Sequence, residues 1–256
     1  MKTLKWLIIF VVTVTGVVGA APNEAVLSQP VNLVTIPTCG IVPRGAYAVE
    51  FRLFPGGGLW SEIAVGVSER FMFGVAYGGG NIIGDQKITW YKQPGVEVKY
   101  RFTEESDKFP AVVVGFNSQG FGNYLDSLKR YETKARGFYA VASKNYHFLG
   151  NLGVHGGLNY NPIEKTDGDT DPNVFFGIDK DLNSEIALLL EYDAALNDNQ
   201  TKESLLGRGR GYLNAGVRWR VVDKFTIEVN FNNILLNRQE VDFMTRELKI
   251  TIVEFF

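Results

Sequence analysis

Two histidines, one cysteine and a few close-set carboxylates are what the chain offers to catalysis or metal binding. His147 is followed two residues on by Leu149, and His155 by Gly157. An esterase built on a strand would set a serine at that spacing, because alternate residues share a face and the base must reach its nucleophile. Neither histidine has one, so no catalytic residue is assigned. His155 reads as a lumen histidine in hydrogen bonds or water, on one face with Gly153, Gly157 and Asn159. Cys39 alone makes neither an internal disulfide nor a thiolate metal site. Asp167, Asp169 and Asp171 alternate as oxygen ligands do in calcium loops, but the glycine and glutamate that complete such a loop are missing. A solvated acidic turn is expected there, with no metal and no cofactor anywhere in the chain. Gly207-Arg208-Gly209-Arg210-Gly211 is not a dinucleotide loop, which needs a strand before it and a helix after. With Lys129, Arg130, Lys134 and Arg136 it reads as basic loop surface, either an unspecific girdle or a meeting point for lipid phosphates or an acidic glycan.

The elements that must carry these residues follow from period and charge. Lys plus Arg total 26 against 28 Asp plus Glu, a net charge of −2 that argues against a nucleic-acid partner. Residues 1–20 read as a secretory signal: lysines at Lys2 and Lys5, an apolar run from Trp6 to Val18, and small residues at Gly19 and Ala20. The run is shorter than the ~20 residues a membrane-spanning helix needs. Past it, alternation dominates over helical spacing. Tyr47, Val49, Phe51 and Leu53 share one face and Ala46, Ala48, Glu50 and Arg52 the other. The same dyad recurs at Val96, Val98, Tyr100 and Phe102 against Glu97, Lys99 and Arg101, at Ile186–Asp193 and at Phe225–Asn232.

About twelve such segments can be counted, at roughly 45–54, 59–67, 70–78, 95–103, 109–116, 136–144, 151–160, 173–179, 185–196, 211–220, 224–234 and 246–256. They approach the ten residues of a tilted strand that crosses an outer membrane, where soluble strands run nearer five or six. Connections alternate in length: Ser68-Glu69 and Val221 to Asp223 are short, Ile82 to Pro94 and Asn117 to Ala135 long. Short periplasmic turns and long outer loops have that asymmetry, which puts both termini on the periplasmic side. Period alone would also suit a soluble barrel or sandwich; strand length, loop asymmetry, the signal and the terminal Phe256 favour the membrane. The expected organisation is a signal over 1–20, an N-terminal periplasmic segment over 21–44, and an all-β transmembrane antiparallel barrel of the outer-membrane type over 45–256. Leu248, Ile250 and Ile252 alternate toward Phe256, the aromatic ending that barrel assembly machinery reads. Glu254 departs from that pattern, through either a shifted register or an interfacial carboxylate reaching water.

The segments Pro43-Arg44-Gly45, Phe54-Pro55-Gly56-Gly57-Gly58-Leu59, Arg70-Phe71-Met72-Phe73-Gly74 and Asn81-Ile82-Ile83-Gly84, with Gly137 to Tyr146 and Asp171 to Phe175, resemble a family of uncharacterised bacterial outer-membrane barrels. That family is similar to the YjbH-like barrels associated with exopolysaccharide export. The resemblance implies the compartment and a link to polysaccharide, and brings no catalytic residues.

The inner face is the surface most informative about function. Its expected lining includes Glu50, Arg52, Glu97, Lys99, Arg101, His155, Glu191, Asp193, Arg218, Arg220 and Glu228. Both signs are interleaved, whereas a pore selective for one ion charge biases its lining to the opposite sign. Small residues such as Ala46, Ala48, Ala64, Gly66, Gly74 and Gly153 leave room there for long side chains or for water. The expected function is a non-enzymatic narrow channel or export accessory for a polar solute, with polysaccharide as a candidate and outer-membrane lipid as the surroundings. The alternative is a closed structural or surface-interaction barrel without transport.

Overall fold

A computed structural model describes residues 29–147, 149–199, 207–239 and 241–256. The signal expected over 1–20 lies outside the described residues. Strand β1 (Ala46–Phe54) pairs with β2 (Gly58–Ser68), and β2 with β3 (Phe71–Gly80). β4 (Thr89–Trp90) adds a short ladder to the end of β3, whose other wall partner is β5 (Gly95–Thr103). β6 (Ala111–Asn117) follows, then a separate hairpin of β7 (Phe121–Leu125) and β8 (Arg130–Thr133). The wall resumes with β9 (Gly137–His147), β10 (Asn151–Tyr160), β11 (Asn173–Asp181) and β12 (Ile186–Asp193). β13 (Tyr212–Val222), β14 (Phe225–Asn232) and β15 (Thr245–Phe255) complete it. β15 pairs back onto β1 from Ala46↔Phe255 to Leu53↔Leu248. Twelve antiparallel strands thus close on themselves, so the wall leaves no free edge.

The ends of the barrel differ for local reasons. At one end the turns are short, and the register shifts at Gly66/Ser68, Arg101/Thr103 and Arg220/Val222 are all gathered there, bending the strands into their turns. Both the start of β1 and the chain's last residue are at this end, where the Phe256 amide donates to the Gly45 carbonyl at 2.8 Å. The register of β15 is unbroken, so Glu254 is no slip; its carboxylate pairs with Lys224 at 2.7 Å across the β13–β14 turn. At the other end the connections are long, except between β1 and β2. That turn is short because Gly56 and Gly57 take φ of +78° and +64°, and a Cβ on Gly57 would sit 1.9 Å from the Ile83 carbonyl oxygen. The 81–88 loop can therefore lie directly on it.

The outward face is apolar through its middle, with Ile63, Val114, Leu158, Val174, Leu188 and Leu190 all exposed. Rings flank the belt: Phe102, Phe109, Tyr146 and Trp219 toward the short turns, Tyr77, Phe138, Tyr160 and Tyr192 toward the long loops. Tyr77 and Trp90 stack with centroids 5.9 Å apart. The charged residues point the other way, inward, where Arg52, Lys99, His155 and Asn230 have no solvent contact. Apolar out and charged in is the reverse of a water-soluble barrel and suits hydrocarbon surroundings. Residues 29–44, the described part of the N-terminal segment expected over 21–44, are seated inside the wall.

The belt generates a stability test. Leu190→Arg should cost about 2–4 kcal/mol near the bilayer midplane, while Leu190→Ile should be close to neutral. Urea titration of the folded protein in lipid vesicles measures both; an arginine variant as stable as the wild type would mean that this face does not meet lipid.

Candidate functional site

The segment enters the barrel at the short-turn end, where the Gln29 side chain donates to Glu105 at 3.2 Å in the β5–β6 turn. It leaves by the same end, where the Gly45 amide donates to the Gly66 carbonyl at 3.1 Å. Between them it folds as a tight plug. Asn32 bridges Pro37, the Thr38 amide donates to the Val31 carbonyl at 3.2 Å, and Val34 and Thr35 form a tip closed by Leu33 N–H on the Ile36 carbonyl at 3.0 Å. So short an irregular hairpin leaves many of its own peptide groups unpaired, and an unpaired peptide group away from water is costly.

Wall charges meet those groups. The Glu191 carboxylate on β12 accepts the amides of Val34 (3.0 Å), Thr35 (2.9 Å) and Ile36 (3.1 Å) and the Thr35 hydroxyl (2.5 Å). Cations take the carbonyls: Arg52 that of Val34 at 2.7 Å, Lys249 that of Leu33 at 3.3 Å, and Arg218 that of Asn32 at 3.4 Å. Lys99 meets those of Val31 and Thr38, and Arg101 donates to that of Cys39 at 3.0 Å. The same cations hold acidic neighbours on the wall, as in Arg52–Glu50 (2.7 Å), Arg52–Glu247 (3.0 Å), Arg218–Glu228 (2.6 Å) and Lys249–Glu228 (2.9 Å). Each ion loses water here, a penalty offset only when partners are several and well placed. The interleaved signs are therefore a lattice around the plug.

Apolar contacts and missing side chains fit the same object. Leu33, Val34, Ile36 and Cys39 pack with Val113, Tyr139, Val141, Phe175 and Leu189, while Ile41 and Val42 pack with Ala48, Ala64, Met72 and Val253 below them. A Cβ on Gly177 would fall 2.4 Å from Leu33 Cδ1 and 2.7 Å from Ile36 Cδ1. The small residues of the inner face thus make room for protein.

A second closure covers the long-loop end. The β7–β8 hairpin turns rings inward, so that Phe121, Tyr124 and Tyr131 join Phe54, Trp60 and Tyr91. Arg130, buried in this lid, binds Asp167 and Asp198 at 2.8 Å each, and Lys134 binds Asp167 at 2.7 Å. Arg136 pairs with Asp193. Both loop expectations change here. The Asp167–Asp171 turn is only in part a solvated acidic turn, since the Asp167 side chain and Asp169 are buried and Asp167 is engaged by cations, which leaves Asp171 exposed. Arg130, Lys134 and Arg136 are no basic surface for phosphate or glycan, since all three are buried on carboxylates. Arg208 instead pairs at the surface with Asp242 at 2.9 Å. Among them Glu164 accepts the amides of Tyr131 (2.7 Å) and Ala135 (2.6 Å), and burial pushes its carboxyl up to about 7.

His155 has the serine that sequence spacing denied it, on a neighbouring strand. Register sets Ser143 directly across from His155, with Ser143 Oγ 2.7 Å from Nδ1 and Asp179 Oδ1 2.7 Å from Nε2. Serine, histidine and aspartate in this order are the constellation of acyl transfer. Here, however, Ser143 and His155 have no solvent contact, and the serine oxygen already accepts the Cys39 amide of the plug at 3.0 Å. With a proton on Nε2 toward Asp179, the Cys39 amide, serine hydroxyl and imidazole are each satisfied. The three residues latch the plug. Only a cross-strand register could have revealed them, because a period-two search stays on one strand.

Of the residues expected to line the lumen, Arg52, Glu97, Lys99, His155, Glu191, Asp193 and Glu228 are buried inside it, and Glu50, Arg101 and Arg218 are partly buried there. Arg220 shares their parity but is exposed near the β13–β14 turn, beyond the plug. Asp179 at the latch and Lys249 on β15, which the alternation also puts on the inner face, share the holding with residues that the sequence does not single out: Thr35 and Asn214 at the tip and Ser143 at the latch.

No protein-family model matches the chain, and no curated protein matches it. Among solved structures it is similar to the KdgM porin at 11% identity and a TM-score of 0.49, over 82% of this chain and 99% of that one. It is also similar to the NanC porin, at 10% identity and 0.44 over 82% and 99%. The translocator domain of the autotransporter NalP from Neisseria meningitidis gives 12% and 0.43 over 85% and 91%.

Glu164 makes the lid sensitive to pH with a definite sign. Its folded value lies above the ordinary carboxyl value, so the folded lid holds a proton that the unfolded chain releases near pH 4.5. The associated stability is present at low pH and is lost as pH rises through about 7. Hydrogen exchange of the lid amides, corrected for intrinsic rates, should show more opening at pH 8 than at pH 5, and Glu164→Gln should flatten the dependence. Protection that instead increases with pH would contradict the assignment.

Proposed function

We propose that this chain is an outer-membrane barrel that passes a polar solute and that the arrangement described is its closed state, with residues 29–44 as the stopper. One observation carries the reading: where the stopper's peptide groups face the wall, the wall carries charges and amides. A permanent core could meet the stopper's peptide groups with neutral amides and hydroxyls and fill the rest with apolar residues, since buried ion pairs often gain nothing over hydrophobic replacements of similar volume. A wall of Glu191, Arg52, Lys249, Lys99 and Asn214 instead remains compatible with water once the stopper has left. Withdrawal also leaves the pairings among the twelve wall strands intact, because the segment enters and leaves at one mouth and meets the wall's backbone there through the Arg44–Gly66 bridge and the Ala46 amide on the Pro43 carbonyl.

In this reading the long loops face outward and the stopper enters from the periplasm. A glycan cargo suits a lining of amides and ion pairs, and it agrees with the resemblance to barrels associated with exopolysaccharide export; neutral and acidic oligosaccharides are therefore the first solutes to offer. The latched Ser143 leaves the reading non-enzymatic. A closed interaction barrel is the competing reading, favoured by the depth at which Val34 and Ile36 are buried.

Planar-bilayer recording separates the two. The wild type should be silent or open rarely, whereas Gly177→Leu, which occupies the seat of Leu33 and Ile36, should give steady unitary currents. A silent Gly177→Leu barrel that retains its folded, heat-modifiable form and has released the stopper would favour the closed scaffold. In that open background, replacing both Arg101 and Arg218 with Ser should shift selectivity toward cations, because the lining keeps its carboxylates and loses two positive charges. Unchanged reversal potentials would take those arginines out of the passage.

A further inference from the structure

The stopper and the outer lid meet at two guanidinium groups, Arg52 of the wall and Arg136 of the lid itself. Arg52, with no solvent contact, donates to the Val34 carbonyl of the stopper at 2.7 Å. Its guanidinium carbon lies 4.9 Å from the ring centroid of Phe121 in the lid and 5.3 Å from that of Trp60 on the wall. Arg136, at the foot of the lid where β9 begins, donates to the Thr35 hydroxyl at 3.1 Å and pairs with Asp193. These two contacts reach the stopper's tip from β1 and from the start of β9.

We infer that the inner stopper and the 118–136 lid are one latch, joined at Arg52 and Arg136, so that displacing the lid from outside loosens the stopper on the periplasmic side. The inference rests on the proposed closed state and adds its regulation. The physical basis is desolvation. A guanidinium held against aromatic faces and away from water keeps its N–H groups aimed at protein acceptors, and its attraction to a ring is strongest where water is excluded. When Phe121 leaves, water reaches Arg52 and competes for the hydrogen bond that now goes to Val34. Among the described residues Arg52 Nη2 and Arg136 Nε have no hydrogen-bond partner, so each group has an N–H ready for water once the lid parts. Coupling of this kind is reciprocal: withdrawal of the stopper removes the acceptors on Val34 and Thr35 and should loosen the lid in turn.

Cys39, the chain's one cysteine, is buried in the stopper and reports its release. In intact protein folded into phosphatidylcholine vesicles, the rate at which a small maleimide labels Cys39 measures how often the stopper leaves. Phe121→Ala should raise that rate about tenfold. Asp126→Asn, which breaks only the exposed lid pair with Lys92, should leave it unchanged. Should the alanine variant fail to give the heat-modifiable barrel, Phe121→Leu, which keeps bulk but loses the ring, is read instead. Labelling of the Phe121 variant at the wild-type rate, while Gly177→Leu labels fast, overturns the coupling and leaves the proposed function standing. Fast labelling of Gly177→Leu without unitary current overturns the proposed function, and the coupling is then judged by the labelling rates alone.

Discussion

A stretch of irregular backbone buried inside a closed barrel must find a partner for each amide and carbonyl it cannot pair itself, and most other features of this molecule follow from that requirement. Glu191 meets it for three consecutive amides, those of Val34, Thr35 and Ile36. Arg52, Lys249, Arg218, Lys99 and Arg101 meet it for the carbonyls around them. Carboxylates suit N–H groups and cations suit C=O groups, so a wall that serves both ends of the peptide dipole must carry both signs. Small residues follow from the same cause, since Gly177 and Gly66 stand where the stopper's side chains and backbone come within touching distance of the wall.

Hydrophobicity alone would not have built this interior. The apolar stopper residues find apolar wall at Val113, Val141 and Leu189, and nearer the short turns at Ala48, Ala64, Met72 and Val253, while charged side chains stand between these patches, Glu191 on the same strand as Leu189 among them. The stopper is thus held both by contacts without direction and by bonds with strict direction. The outer end repeats the principle in another form: the lid is held by rings against rings at Trp60, Tyr91 and Tyr131, and by Arg130 spanning Asp167 and Asp198 from two other loops.

The barrel was legible in the sequence because its signal is local. Period-two alternation gave each strand its face, turn residues gave its limits, and the charged parity of Glu97, Lys99 and Arg101 marked the lumen. The stopper was not legible: residues 29–44 have neither a strand's alternation nor a helix's stripe, and Val34 lies 157 positions from the carboxylate that caps it. The basic loop was misread for a related cause. Arg130 and Lys134 look like solvated charge until the 161–172 loop brings Asp167 against both. Ser143 and His155, twelve positions apart, show the boundary well, since their contact depends on a hairpin register that alternation suggests but does not set.

Amide hydrogen exchange, read by mass spectrometry on the intact protein in lipid, tests directly whether residues 29–44 occupy the lumen with their peptide groups bonded to the wall. The amides of Val34, Thr35, Ile36 and Cys39 should exchange as slowly as those of the barrel strands and speed up selectively in Glu191→Ala while the strands stay protected. Exchange of these amides at the rate of an unstructured peptide in the wild type would contradict that placement, and would leave the mixed charges of the lumen facing water.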